Sequence, residues 1–415
     1  MSDARRGTVS ASPIGHAALP EGASRIWGID LARFLAVIGM MATHVWSHQP
    51  DGSPTLIDGA VSGKAAALFA LLAGVGISRT TRADSRAGRF GAARANVAGR
   101  GIALIVIGLT LGLAPGPVVV ILVYYGAVFL AVVPLLRLSS PILLSLAGGL
   151  AGLWPPFSSF VRTHFEQPYD LGSASWLSFA DPMEVVRGLF FTGMYPVPTW
   201  IVYVLVGIVV GRSLTAASDA GLRRVALRLC VVGAFLAAAA TALSLAVAGP
   251  ITAILVAIMD DRTMVETAYF GTAFGAPISG DALWLLSPAP HSGTLFDLAI
   301  TTGWALIALG LTLAVGSVLP DRAKRLLEPL RATGAAPLTV YTAHVLAVSV
   351  VSLLAATMAL TEMPWFLSSA ALWGLHIAGA LAIGAVLASL QRRGPLEALV
   401  TAAGRRAASP WRARR

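Results

Sequence analysis

Long apolar runs, each broken by a short polar or proline-containing stretch, recur along the chain from residue 29 to residue 390. An α-helix needs about 20 apolar residues to cross a bilayer core. The pattern predicts spans near 29–47, 63–79, 101–115, 117–136, 141–160, 196–212, 227–248, 297–319, 335–358 and 366–390. Only Ala114-Pro115-Gly116-Pro117 divides the third from the fourth, a tight turn, so these two are either separate spans or a hairpin that does not fully cross. The expected fold is all-α: a polytopic membrane bundle of about ten helices, placed in the cell membrane.

Charge adds an orientation. Arg79, Arg82, Arg86, Arg89, Arg94 and Arg100 follow the second span. The next even loops carry Arg137, then Arg212, Arg223, Arg224 and Arg228, then Arg322, Lys324, Arg325 and Arg331. The odd loops are acidic or neutral, with Asp51 and Asp58, then Glu166, Asp170, Asp181 and Glu184, then Asp260, Asp261 and Glu266. Basic loops stay on the cytoplasmic side. Both termini are therefore expected there, with the long loops 161–195 and 249–296 facing outward.

Composition agrees with this reading. The chain is 56% hydrophobic and 12% charged, too few charges to cover a soluble body of this length. The net charge of +10 sits in short loops, so it speaks for topology and against nucleic acid. Cys230 is the single cysteine; it excludes an internal disulfide and gives no cluster for a metal. Residues 1–24 are small and polar with no apolar core, expected as a disordered cytoplasmic tail and not a signal peptide. Residues 25–393 form the membrane domain, and 394–415 read as a basic cytoplasmic tail.

Ionisable groups inside spans are costly and mark function more often than packing. The first span holds Asp30, Arg33 and His44. At 100° per residue, Arg33 and His44 differ by roughly 20°, and Asp30 lies within roughly 60° of Arg33, so the three share one stripe. Arg33 and His44 are about 16 Å apart along the axis. The plainer alternative is an Asp30–Arg33 pair anchoring the helix end; nothing local pairs with His44. In the ninth span Gly334, Pro337, Tyr341 and His344 fall on one face, which is either a site or a packing seam with Tyr341 bonded to a carbonyl. His291 lies just before the eighth span, and Tyr195 and Trp200 open the sixth. Interface aromatics are often only anchors, and His291 is the better candidate. His48 and Lys64 also face outward; His164 and His376 have no informative context.

These residues resemble a known family. Arg25, Asp30 and Arg33 followed by His44 are similar to the first helix of the transmembrane acyltransferases, which reads R-x-x-x-L-D-x-L-R-G-x-A…H. Gly334, Tyr341 and His344 resemble that superfamily's late G-x-x-S-x-x-x-Y-L-x-H helix. The stretch from Leu68 to Gly76, and Tyr195, Trp200, Gly207, Gly211 and Arg212, look closest to the bacterial branch related to heparan-alpha-glucosaminide N-acetyltransferase and the YeiB-like proteins. The first helix also fits the acyltransferase-3 family. Phe34 departs from the usual Gly, and Pro337 from the common Ser.

The resemblance implies a cytosolic acyl-CoA donor, acetyl-CoA foremost, and an envelope glycan or lipid acceptor beyond the membrane. It makes His44 the catalytic base or acyl carrier. His344 and His291 are the rivals for that work. Asp30, Arg33, Tyr341, Lys64, Tyr195 and Trp200 are the candidate substrate contacts. Arg33, Arg79, Arg82 and Arg100 are the candidates for holding the donor's phosphates, against the alternative of ordinary positive-inside charge. Membrane lipid is the expected surrounding, no metal is expected, and a homo-oligomer is allowed. The competing class is a secondary transporter or lipid flippase that uses the same buried charges for substrate or proton coupling.

Overall fold

The computed structural model describes residues 26–48, 54–167, 169–170, 172–217, 219–357 and 369–413. The expected N-terminal tail lies outside them. The described residues form sixteen α-helices and no sheet. In chain order these are α1 (Trp27–Val45), α2 (Leu56–Val61), α3 (Lys64–Arg86), α4 (Phe90–Leu111), α5 (Leu122–Val132), α6 (Ser140–Arg162), α7 (Pro182–Arg187) and α8 (Val197–Ala216). There follow α9 (Asp219–Met259), α10 (Arg262–Phe270), α11 (Leu295–Val318), α12 (Asp321–Leu326), α13 (Glu328–Ala335), α14 (Pro337–Thr357), α15 (Ala370–Ser389) and α16 (Pro395–Ala413).

Nine apolar stretches among the described residues are long enough to cross a bilayer, counting α2 and α3 as one. The protein is a multi-pass integral membrane protein. The expected fourth span is the short one. It is an 11-residue α5 continued by a 3₁₀ turn through Arg137, because Pro134 ends the α-helical hydrogen bonding there. Side chains such as Leu153, Phe235 and Leu243 stand outward on the bundle, 58–76% exposed; a membrane protein presents such a surface to lipid.

Small residues let the central helices meet. A Cβ on Gly74 would lie 2.2 Å from the Val204 carbonyl oxygen, and one on Gly207 would lie 2.0 Å from that of Leu71. The α3–α8 crossing is therefore a backbone-to-backbone contact of the small-residue kind that membrane helices use. Arg212, one turn on from Gly207, donates to the carbonyls of Leu138 (2.8 Å) and Leu136 (3.1 Å) and closes the end of the short fourth span.

Two elements differ from the sequence expectation. The 394–415 stretch is largely a helix, not a tail: α16 packs antiparallel on the first turns of α4, with Trp411 against Gly91 and Ala403 against Gly99. Its buried residues Val400, Gly404 and Ala408 recur every four positions, a packing stripe too polar on its other faces to read as a span. The 227–248 span is the middle of a 41-residue helix, α9, which runs through Pro250 into the expected outer loop.

Candidate functional site

The basic loops gather at one end of the bundle, where α1 begins. There Asp30, almost fully buried, receives two arginines: Arg33 Nη1 at 3.0 Å and Arg331 Nη1 at 3.3 Å. Arg331 also grips Glu328 on its own helix, which holds its guanidinium above the usual range. Gly334 makes this possible. A Cβ there would lie 1.8 Å from the Asp30 carbonyl oxygen, so any larger residue would push α13 and Arg331 away from α1. The seam reading of Gly334 and the charge reading of Asp30 are thus one arrangement.

At the other end of α1 the two motifs meet. His44 Nδ1 lies 3.0 Å from His344 Nε2, although 300 residues separate them. The ring planes are 12° apart and the centroids 5.3 Å apart. With the nitrogens so much closer than the centroids, the rings meet edge to edge, the geometry of a hydrogen bond and not of a face-to-face stack. His344, 3% exposed, then uses its other nitrogen: Nδ1 lies 3.0 Å from His376 Nδ1 on α15. Three imidazoles from α1, α14 and α15 form a hydrogen-bonded chain.

A second polar cluster lies near His44, close enough for the charges of His44 and His291 to act on each other. A small enclosed cavity, with room for about one water, is lined by Thr199, Trp200, Tyr203, His291 and Asp297. His291 holds a left-handed backbone (φ 63°), as does Gly293 (φ 66°). That tight turn places the imidazole 6.3 Å from the Trp200 ring, nearly parallel to it, and 6.0 Å from Tyr195, edge-on. Burial pushes the His291 imidazole down to about 4, so it is neutral at physiological pH. Asp297 caps its own helix start: Oδ2 accepts from the Gly293 N–H at 2.9 Å, and its N–H donates to Thr294 Oγ1. Asp297 Oδ1 and His291 Nδ1 are buried without a partner. Buried polar atoms of this kind are normally satisfied, so the pair is open to a small polar group.

The structure brings His44 together with His344, and His291 with Tyr195 and Trp200. Lys64 borders the second cluster: Nζ donates to the Gly59 carbonyl at 2.7 Å, and its charge acts on Asp297. Tyr341 lies close enough to Tyr195 for the two hydroxyls to act on each other. The Tyr341 hydroxyl accepts from the Ile121 N–H at 3.4 Å, where a carbonyl partner was the alternative, so it braces the start of α5. Arg100 lies in the α4–α16 seam, bonded to Asn96 at 3.0 Å and facing the charges of Arg393 and Arg405, not in the Asp30 cluster. Arg79 has an interaction of its own, and Arg82 has a buried, unpartnered Nε.

Sequence reasoning missed His376, Asp297 and Arg331. His376 is a lone ionisable residue in an apolar run, the signal that singled out His44. Asp297 was hidden by its role as a cap in Thr294-x-x-Asp297. Arg331 looked like ordinary loop charge. Among the described residues no group of three or more His, Cys, Asp or Glu side chains is placed to hold a metal ion. No protein-family model matches the chain, and no curated protein is similar enough to count as a relative.

Proposed function

We propose that this protein is a membrane-bound acyltransferase. It moves an acyl group, acetyl in the first instance, from cytosolic acyl-CoA to a hydroxyl or amine of an envelope glycan or lipid on the far side. The observation that carries the reading is the His44–His344 contact, in which the two stretches that resemble the transmembrane acyltransferases converge on one point inside the bundle. Acyl transfer needs a group that takes a proton near neutral pH, and imidazole is the usual one. Arg33 and His44 stand toward the two ends of one side of α1, with the buried Val37, Met40 and Met41 between them.

In this reading His44 takes the proton of the acceptor as its oxygen or nitrogen attacks the acyl carbonyl. The carbon–sulfur bond breaks and CoA leaves as the thiolate, which takes a proton from water on the donor side. Arg33, braced by Asp30, binds the polar part of the donor arm. The Trp200–Tyr195–His291 cluster borders the acceptor. The test is purified protein with radiolabelled acetyl-CoA, with and without envelope extract. Label should pass to extract material. His44→Ala should lose roughly 10²–10⁴ in rate, the usual worth of acid–base catalysis, while the variant still folds. Label on the protein itself when extract is withheld assigns His44 as acyl carrier. No transfer by the wild type overturns the proposal.

One observation favours a second reading, proton-coupled transport or lipid flipping: Lys64 lies close enough to Asp297, which lines the cavity, for their charges to act on each other. Buried opposite charges without direct contact are a usual device of proton coupling. Proton flux in proteoliposomes without acyl-CoA would support it.

A further inference from the structure

We infer that His376 is the exit of a proton relay that begins at His44 and runs through His344. The inference rests on the proposed acyl transfer only for the source of the proton.

The three rings can all be neutral and still satisfy both hydrogen bonds in just two ways. In one, His44 and His344 each carry the proton on Nδ1 and His376 carries it on Nε2. His44 Nδ1–H then donates to His344 Nε2, and His344 Nδ1–H donates to His376 Nδ1. This arrangement leaves His44 Nε2 bare. It is the state ready to accept a proton, and none of the three rings carries a charge.

When His44 Nε2 takes a proton, its Nδ1 proton passes to His344 Nε2, and the His344 Nδ1 proton passes to His376 Nδ1. His44 and His344 end neutral with their protons on Nε2. The positive charge ends on His376, which loses its Nε2 proton to water. One proton enters, one leaves, and the chain is in its other neutral arrangement. The electrostatic gain is clear. A charged imidazole on His344, 3% exposed and without a carboxylate partner among its hydrogen bonds, would be costly. On His376, half-buried on α15, the charge is nearer the edge of the bundle.

His376 is held in place rather than merely near. Trp373, one turn earlier, donates its Nε1–H to the Ile38 carbonyl at 2.9 Å and packs 5.7 Å from Trp46. Toward the other end of the helix, Thr333 donates to the Ala380 carbonyl at 3.0 Å. Both contacts fix the register of α15 against α1 and α13, and with it the His376 nitrogen. A purely space-filling histidine would not need its nitrogen in line.

The experiment uses the full chain in lipid nanodiscs with acetyl-CoA and envelope extract. His376→Ala should lower kcat roughly 10-fold or more, within what proton transfer contributes, with the KM for acetyl-CoA unchanged. Added imidazole should restore His376→Ala and leave His44→Ala slow. His376→Gln can still bond to His344 but cannot pass a proton, so it should stay slow. Wild-type kcat in His376→Gln, or a slow His376→Ala that imidazole does not help, would overturn the relay while leaving acyl transfer standing. A readout free of turnover separates the two failures. In ¹⁵N-histidine protein, nitrogen–nitrogen coupling across both bonds supports the relay even if no acyl transfer is found, and its absence overturns it.

Discussion

Arg412 Nη2 lies 2.6 Å from Asp84 Oδ2, so the last turn of α16 is bound to the last turn of α3 across 328 residues. Asp84 is 2% exposed and also accepts from Arg89 at 3.0 Å. Arg412→Ala should lower stability by about 1.5–3 kcal/mol, the worth of charged hydrogen bonds, and expose α16 to protease. Asp84→Asn should do at least as much, because two arginines lose their carboxylate. Thermal melts and limited proteolysis check this, with the exposed Arg406→Ala as control.

Topology is tested by labelling. In a Cys230→Ala background, Ala87→Cys should resist an impermeant thiol reagent in intact cells and Ser279→Cys should react. Labelling of position 87 from outside would reverse the assignment of the basic end to the cytosol.

The Asp30 cluster makes a prediction about the donor. Removing Arg33 leaves Asp30 still paired with Arg331, so folding should survive. Acyl-CoA affinity should fall by roughly 1.5–3 kcal/mol, the loss of one charge-assisted contact. Calorimetry with acetyl-CoA measures it; an unchanged affinity would leave Arg33 as the ion-pair partner of Asp30 and nothing more.

His291 gives a pH dependence with a defined sign. Burial lowers its value from 6.5 to about 4 in the folded protein. Between those pH values the unfolded chain binds a proton here that the folded chain does not, so stability falls as pH falls through the window. Above about 6.5 this group adds no slope. Melting temperatures recorded from pH 4 to pH 7 should therefore drop less steeply for His291→Gln than for the wild type. Parallel curves would show that His291 does not titrate with unfolding.

The spans were legible because lipid asks for a long apolar run, and a run is a local property. The Asp30–Arg33 pair was legible for the same reason, being three residues apart on one helix. The partners that complete each cluster were not, because they come from distant parts of the chain. Arg331 reaches Asp30 from 301 residues away, and nothing in its own loop marks it. His44 looked unpaired because its partner is on α14. His376 was set aside for lack of context, because its partner is also on α14. The short fourth span was legible in part: the turn before it left open whether it crosses, and Pro134 decides how far the helix runs.

The 41 residues of α9 span about 60 Å at the α-helical rise, roughly twice a bilayer's hydrocarbon thickness. Gly233 and Cys230 pack on Gly303 and Gly310 of α11, while further along, Leu255 packs with Val265, Tyr269 and Trp284 of the segment 262–286. That segment is bonded to the His291 loop through Tyr269, which donates to the Leu286 carbonyl, and Ser287, which donates to that of Tyr269. One helix therefore connects the α11 contact to the wall that carries His291 beside its cavity. A helix about twice the hydrocarbon thickness cannot lie wholly within it, so part of α9 stands outside the lipid core and carries that wall with it.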